Sequence, residues 1–338
     1  MSTSITAQLR ASVPLPGGEA LITGFAFESR AGGSQRALLR NGSELEVHDL
    51  AEVFAGERAP AAVFPAPWAW DRGVPSVSPD GSFAVFSGQR AVRAVDADGV
   101  TLWEYRHGCW GPEVGHAHTG DEQEVCRGLE HGSCRVSDDG RLVWAHVVIE
   151  EDEYWVVLDA RDGRELARLP LDSAAAGSNH LSHPDGVHMG LSIGMGQDGI
   201  LLYWARWDGT ELTAWDLNET MDRILIDVHG GHDGFLTVEH YGADLELHAL
   251  DGSVLAQGKP DEDESCWDYW CGFVDADTVI AAAEEGPHRL LDARTLRVRG
   301  AVAYPSGPVE GGVRPLGDGT WLTYDTASGT LNRWTHAA

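Results

Sequence analysis

A single seven-bladed β-propeller over residues 1–338 is the fold this sequence predicts, and three observations lead there. A turn of the Ser-Pro-Asp-Gly kind returns with a period of roughly 45 residues. The text between the turns is strand-like, and no convincing amphipathic helix interrupts it. Fixed-period repetition of four short strands excludes a sandwich and selects radial repetition around a channel.

The elements follow in order. Gly32-Gly33 is a degenerate first turn; Ser78-Pro79-Asp80-Gly81, Ser137-Asp138-Asp139-Gly140 and His183-Pro184-Asp185-Gly186 are full copies. His232-Asp233-Gly234, Asp275-Ala276-Asp277 and Leu316-Gly317-Asp318-Gly319 complete seven, with one long interval between Gly81 and Gly140. Between them, Phe83 to Phe86, Leu142 to Ile149 and Trp321 to Tyr324 are rich in the β-branched and aromatic residues that fit a pleated surface. A second punctuation follows within each unit, as at Asp98-Gly99, Asp162-Gly163 and Asp251-Gly252, where Asp-Gly supplies the positive φ of a tight hairpin. The last unit runs out after Trp334, one strand short. An open ring would leave unpaired strand edges, so residues 5–13 are expected to supply the outer strand of the last blade.

The spacing and punctuation resemble those of WD40-like and related bacterial propeller repeats over nearly the whole chain, with Trp215-Asp216 similar to that family's terminal Trp-Asp pair. The resemblance implies architecture and carries no functional residue with it. Val95 to Trp103 also looks like a quinoprotein repeat. Its tryptophan does not recur at the matching place in other blades, which speaks against a pyrroloquinoline quinone enzyme.

Charge narrows the partners. The net charge is −29, from 53 acidic and 24 basic residues, and Lys259 is the only lysine. Such a surface repels phosphate backbones and anionic membranes, so neither nucleic acid nor membrane is expected as a partner. No run approaches the ~18 apolar residues of a membrane span, and the N-terminus lacks the charged start and apolar run of a secretory signal. Five cysteines, an odd number, fit a reduced, cytoplasmic thiol set; a monomer is expected.

In this architecture the Ser-Pro-Asp-Gly turns lie on one face, here the bottom, and the connections between blades on the other, the top. Two long top insertions, residues 106–131 and 258–270, hold most of the unusual residues. Their acids, with Asp261, Glu262, Asp263 and Glu264 foremost, and their tryptophans Trp110, Trp267 and Trp270 form a candidate partner surface; Arg72, at the channel mouth, is a further ligand- or partner-binding candidate. Solvated charge and tryptophans plugging loops onto blade tops are the plain alternatives. His131, His180 and Glu310 start inner strands near the channel mouth and are the catalytic candidates; hydrogen bonding among channel-lining groups would explain them equally. His116, His118, His131 and Cys271 are the candidate ligands for a divalent metal, although none has the paired Cys-x-x-Cys spacing of a structural zinc site. His183 replaces the usual turn serine, and a capping role is its plainest reading.

Three functions compete. The first is a non-enzymatic interaction module presenting an acidic, Trp- and His-containing top face to a basic protein or peptide. The second is a metal-assisted lyase, hydrolase or oxidoreductase working on a small molecule at the channel mouth. The third is a sugar or small-ligand binder. Only the first accounts for the overall charge.

Overall fold

The computed structural model describes residues 4–15, 27–29, 35–41, 43–57, 59–68, 73–110, 131–175, 177–217, 222–228, 231, 234–260, 266–283, 286–307, 309 and 311–336. Twenty-eight strands run through them. The first blade comprises β2 (Phe27–Ser29), β3 (Gln35–Asn41), β4 (Glu44–Asp49) and β5 (Ala62–Pro65); the second, β6 (Ser76–Val77), β7 (Ala84–Ser87), β8 (Ala91–Val95) and β9 (Thr101–Arg106). The third holds β10 (Cys134–Val136), β11 (Leu142–Ile149), β12 (Asp152–Asp159) and β13 (Glu165–Leu171); the fourth, β14 (Gly177–Ser182), β15 (His188–Gly194), β16 (Ile200–Trp207) and β17 (Leu212–Asp216). Next come β18 (Arg223–Val228), β19 (Gly234–Glu239), β20 (Leu245–Ala249) and β21 (Val254–Gly258), then β22 (Trp267–Asp275), β23 (Thr278–Ala283), β24 (Arg289–Asp292) and β25 (Val298–Ala303). The last blade is β26 (Val313–Pro315), β27 (Trp321–Asp325), β28 (Thr330–His336) and β1 (Ser4–Pro14).

The closing strand falls where the sequence places it. β1 pairs antiparallel with β28, Ala7 opposite His336 and Pro14 opposite Thr330, with a bulge between Leu9 and Ala11. Its first residues do something further. Ser4 to Thr6 pair in parallel with Ala301 to Ala303 of β25, so the sixth and seventh blades merge into one eight-stranded sheet. Five separate four-stranded sheets make up the other blades. The Gln35 side chain donates to the Leu316 carbonyl at 2.7 Å, tying the first blade to the seventh.

Local chemistry explains the turns. Ser78 Oγ donates to Asp80 Oδ1 (2.7 Å) and accepts from the amides of Ser82 and Phe83, and Gly81 adopts φ 72°. Ser137 repeats this with Asp139 and the Leu142 amide. One outer turn departs from the expected pattern, because residues Leu50–Phe54 form a short helix, α1. Asp49 caps it by accepting from the Ala51 amide at 2.8 Å, and buried Leu50 and Val53 anchor it.

The core is a series of layers between blades, and tryptophans dominate it. Trp103 lies over Gly163 of the next blade, where any Cβ would stand 2.6 Å from its ring, and donates to the Ala160 carbonyl at 2.8 Å. Trp144 and Trp155 pack with Met189, Leu191 and Tyr203 between the third and fourth blades. Trp204 stacks on Phe235 at 4.4 Å between the fourth and fifth.

Candidate functional site

The inner strands bring charged residues of several blades together. Glu28 on β2 receives Arg36 Nε at 2.9 Å, Ser76 Oγ of the second blade at 2.7 Å and, across the ring, Arg135 of the third blade at 3.1 Å. Burial alone would raise this carboxyl, but Arg135 and Arg36 hold it below its usual range. Arg135 Nε also reaches Ser182 Oγ at 3.3 Å, and Ser182 donates to Asp138 at 2.6 Å. Four blades are thus stitched by one buried polar chain. A second pairing sits among the later blades. Asp227 on β18 accepts from the Phe273 amide of β22 at 2.8 Å and faces Arg314 of β26; burial lifts its pKa to about 6 despite both.

Of the catalytic candidates, His180 is spoken for. The Trp155 indole N–H, which can only donate, meets His180 Nε2 at 2.9 Å, so Nδ1 carries the proton and donates to Ser133 Oγ at 2.7 Å. Burial, with His146 and Arg135 nearby, keeps its pKa well below the ordinary imidazole value. This neutral, doubly bonded ring is a strut between the third and fourth blades, not an accessible base. His131 is half-buried, with Nδ1 3.1 Å from the Gly132 carbonyl and the ring against Gly177. It neighbours a buried pair that the sequence reading did not single out: His146 Nε2 lies 3.0 Å from Glu153, which also accepts from Ser173 and from the Ala175 amide. Glu310 lies outside the described residues.

The loop tryptophans correct an expectation. Trp110 is 4% exposed and meets the His146 ring edge-on at 5.0 Å, while Trp267 is 1% exposed and donates to the Gly258 carbonyl. Trp270 is half-buried against the core between the sixth and seventh blades. An indole offers too much apolar area to leave in water when a blade top can cover it. Trp110 plugs its connection onto a blade, whereas Trp267 and Trp270 belong to β22 itself and not to the expected insertion; none of the three forms an exposed hot spot. Cys271 is likewise buried in the core of the fifth and sixth blades, where burial pushes its thiol pKa up, so it does not join His131 of the third blade as an exposed metal ligand. His116, His118, Arg72 and Asp261 to Glu264 lie outside the described residues. The exposed acids that are described on the top face include Glu150, Glu151 and Asp152, at the tip of the β11–β12 hairpin.

A different group converges on the bottom of the fourth blade. His188 Nδ1 is 2.7 Å and His183 Nδ1 3.0 Å from the same oxygen, Asp185 Oδ2. Asp185 Oδ1 accepts from the amides of Val187 and His188, and the carboxyl pKa is strongly lowered: burial works against this, but the two imidazoles and the amides outweigh it. His188 stacks on Trp204 and on Trp215. His183 was legible as a turn variant. That His188, five residues on, faces the same carboxylate follows only from the closed turn.

A groove of about 580 Å³ runs along the closing blade, lined in part by Leu9, Ser12, Tyr324, Asp325, Asn332 and Trp334. Among the described residues no helix is long and apolar enough to cross a membrane.

The fold has solved counterparts. The β-propeller domain of Cps50 (Swd1) from Myceliophteria thermophila superposes with a TM-score of 0.59 at 12% sequence identity, over 97% of this chain and 99% of that one. The chain therefore has a β-propeller fold. No protein-family model matches the sequence, and no curated protein does.

Proposed function

We propose that this propeller is a non-catalytic interaction scaffold whose acidic surface takes a basic protein or peptide. The observation that carries this reading is the net charge of −29 on a 338-residue chain. A rigid ring holds the loops, and long-range attraction steers a cationic partner onto them. The buried histidines and charged groups support the reading, because His180, Glu28 and Asp227 already have partners within the ring. Glu150, Glu151 and Asp152 on the third blade and Asp261 to Glu264 in the second insertion are the proposed contact acids. The β-propeller fold is compatible with such a role and does not name the partner.

The test is a titration of a synthetic Arg/Lys-rich peptide, followed by fluorescence anisotropy at increasing salt. Affinity should fall steeply as the screening length shortens to about 8 Å at physiological ionic strength. Reversing Glu150, Glu151 and Asp152 to lysine should slow association more than it speeds dissociation. Binding that ignores both salt and charge reversal, or no binding at low salt, would count against the acidic face.

A further inference from the structure

We propose that the His183–Asp185–His188 turn of the fourth blade binds one divalent transition-metal ion. One ligand atom from each of the three residues lies within 4.8 Å of the other two. Donors bound to a common ion at about 2.0–2.1 Å stand roughly 2.9–3.4 Å apart at octahedral or tetrahedral angles. The observed nitrogen-to-oxygen separations of 2.7 and 3.0 Å need only a slight opening to meet that.

The other blades supply an internal control. Where the fourth blade has His183 and His188, the second has Ser78 and Phe83 and the third Ser137 and Leu142, flanking the same aspartate and glycine. In those turns the serine hydroxyl caps the last amide of the turn, from Phe83 or Leu142. In the fourth blade Asp185 Oδ1 takes over that amide, His188 N, which leaves Oδ2 to the two imidazoles. A buried turn needs neither histidine to close. Two imidazoles appearing together, both aimed at one carboxylate, are what a ligand set requires.

The surroundings suit an ion. His183 and His188 are 7% and 8% exposed and held by Trp204 and Trp215, so their positions are set before any ion arrives. His183 Nε2 is buried with no hydrogen-bond partner among the described residues, while the Asp185 amide makes only a long contact, 3.3 Å, with Nδ1. The Asp185 side chain is 33% exposed and gives the ion its way in. Gly186, at φ 74°, lets the third blade's Asp139 come close, since a Cβ there would stand 2.8 Å from Asp139 Cγ. Buried Asp138 also interacts electrostatically with His183 and adds negative potential. Imidazole with carboxylate favours zinc, iron, nickel or copper over calcium or magnesium, and three protein ligands leave a coordination position open to solvent.

Tag-free protein stripped with a chelator, then titrated with Co(II) and competed with Zn(II), tests this. Wild type should take up one ion per chain at this site, with Co(II) absorption in the visible. The variant combining His183→Ser with His188→Phe restores the second blade's turn; it should keep its circular dichroism and lose one bound ion per chain. Asp185→Asn, which preserves the side-chain shape, should also lose that ion, and serves if the double variant does not fold. Wild type that takes up neither Co(II) nor Zn(II), or folded variants that bind as many ions as wild type, would overturn the site.

Discussion

Glu28 exposes less than a tenth of its surface, yet it links three blades through Arg36, Ser76 and Arg135. Two arginines left without their counter-ion in the ring would each keep the cost of burial and lose the attraction that offsets it. Glu28→Gln should therefore lower stability at neutral pH by about 3–5 kcal/mol, as read by urea denaturation. The pH dependence has a definite sign. Because the folded-state carboxyl titrates below its ordinary value of 4.5, its stabilisation is fully present above that pH and fades as the pH falls through the lower folded value. The gap between wild type and Glu28→Gln should thus be constant above about pH 5 and shrink in acid; a gap that widens there would contradict the assignment. Asp227 is the opposite case, a carboxyl raised to about 6 by burial, so it costs stability as the pH rises from its ordinary value of 3.8 through about 6, and that cost is constant above.

Strands and turns were legible in the sequence, while depth was not. The Asp-Gly hairpins and the Ser-Pro-Asp-Gly turns announce themselves because positive φ and side-chain capping demand particular residues at particular offsets. Ile5 to Val13 could be read as the missing strand because the last unit counts one short. The tryptophans were another matter. Trp110 sits in a connection and Trp267 opens β22, where a loop was expected; a linear string gives the residue type but not whether a blade covers it. His183 and His188 had the same difficulty, since five residues of separation become a shared carboxylate only when the turn closes. For the closing strand itself, deletion of residues 1–14 should cost several kcal/mol, because it exposes the edges of β28 and β25 together. An unchanged urea midpoint for the truncated chain would show that the ring does not depend on β1.

For the molecule as a whole, the charge that attracts a partner also works against the fold. Fifty-three acids and 24 basic residues repel one another on balance, and compaction brings the acids closer. Added sodium chloride should raise the melting temperature over the range in which the screening length drops from about 30 to about 8 Å, while it weakens binding of the basic peptide. The two responses have opposite signs and one origin. A melting temperature that fell with salt would mean that the native ion pairs, such as Glu28 with Arg135, outweigh the repulsion.

The pairing of β1 with β28 has a consequence for how the chain is made. Ser12 hydrogen-bonds Asn332, 320 residues away, so β1 is made long before the strand it pairs with. Until His336 has been added, Ser4–Pro14 has a complete partner neither in β28 nor in any blade already formed, and both its edges stay available to other chains. Loop closure over such a distance is slow compared with forming a local hairpin. Closing the ring therefore requires β1 and β28 to meet, and a chain lacking either strand leaves an open arc with unpaired edges.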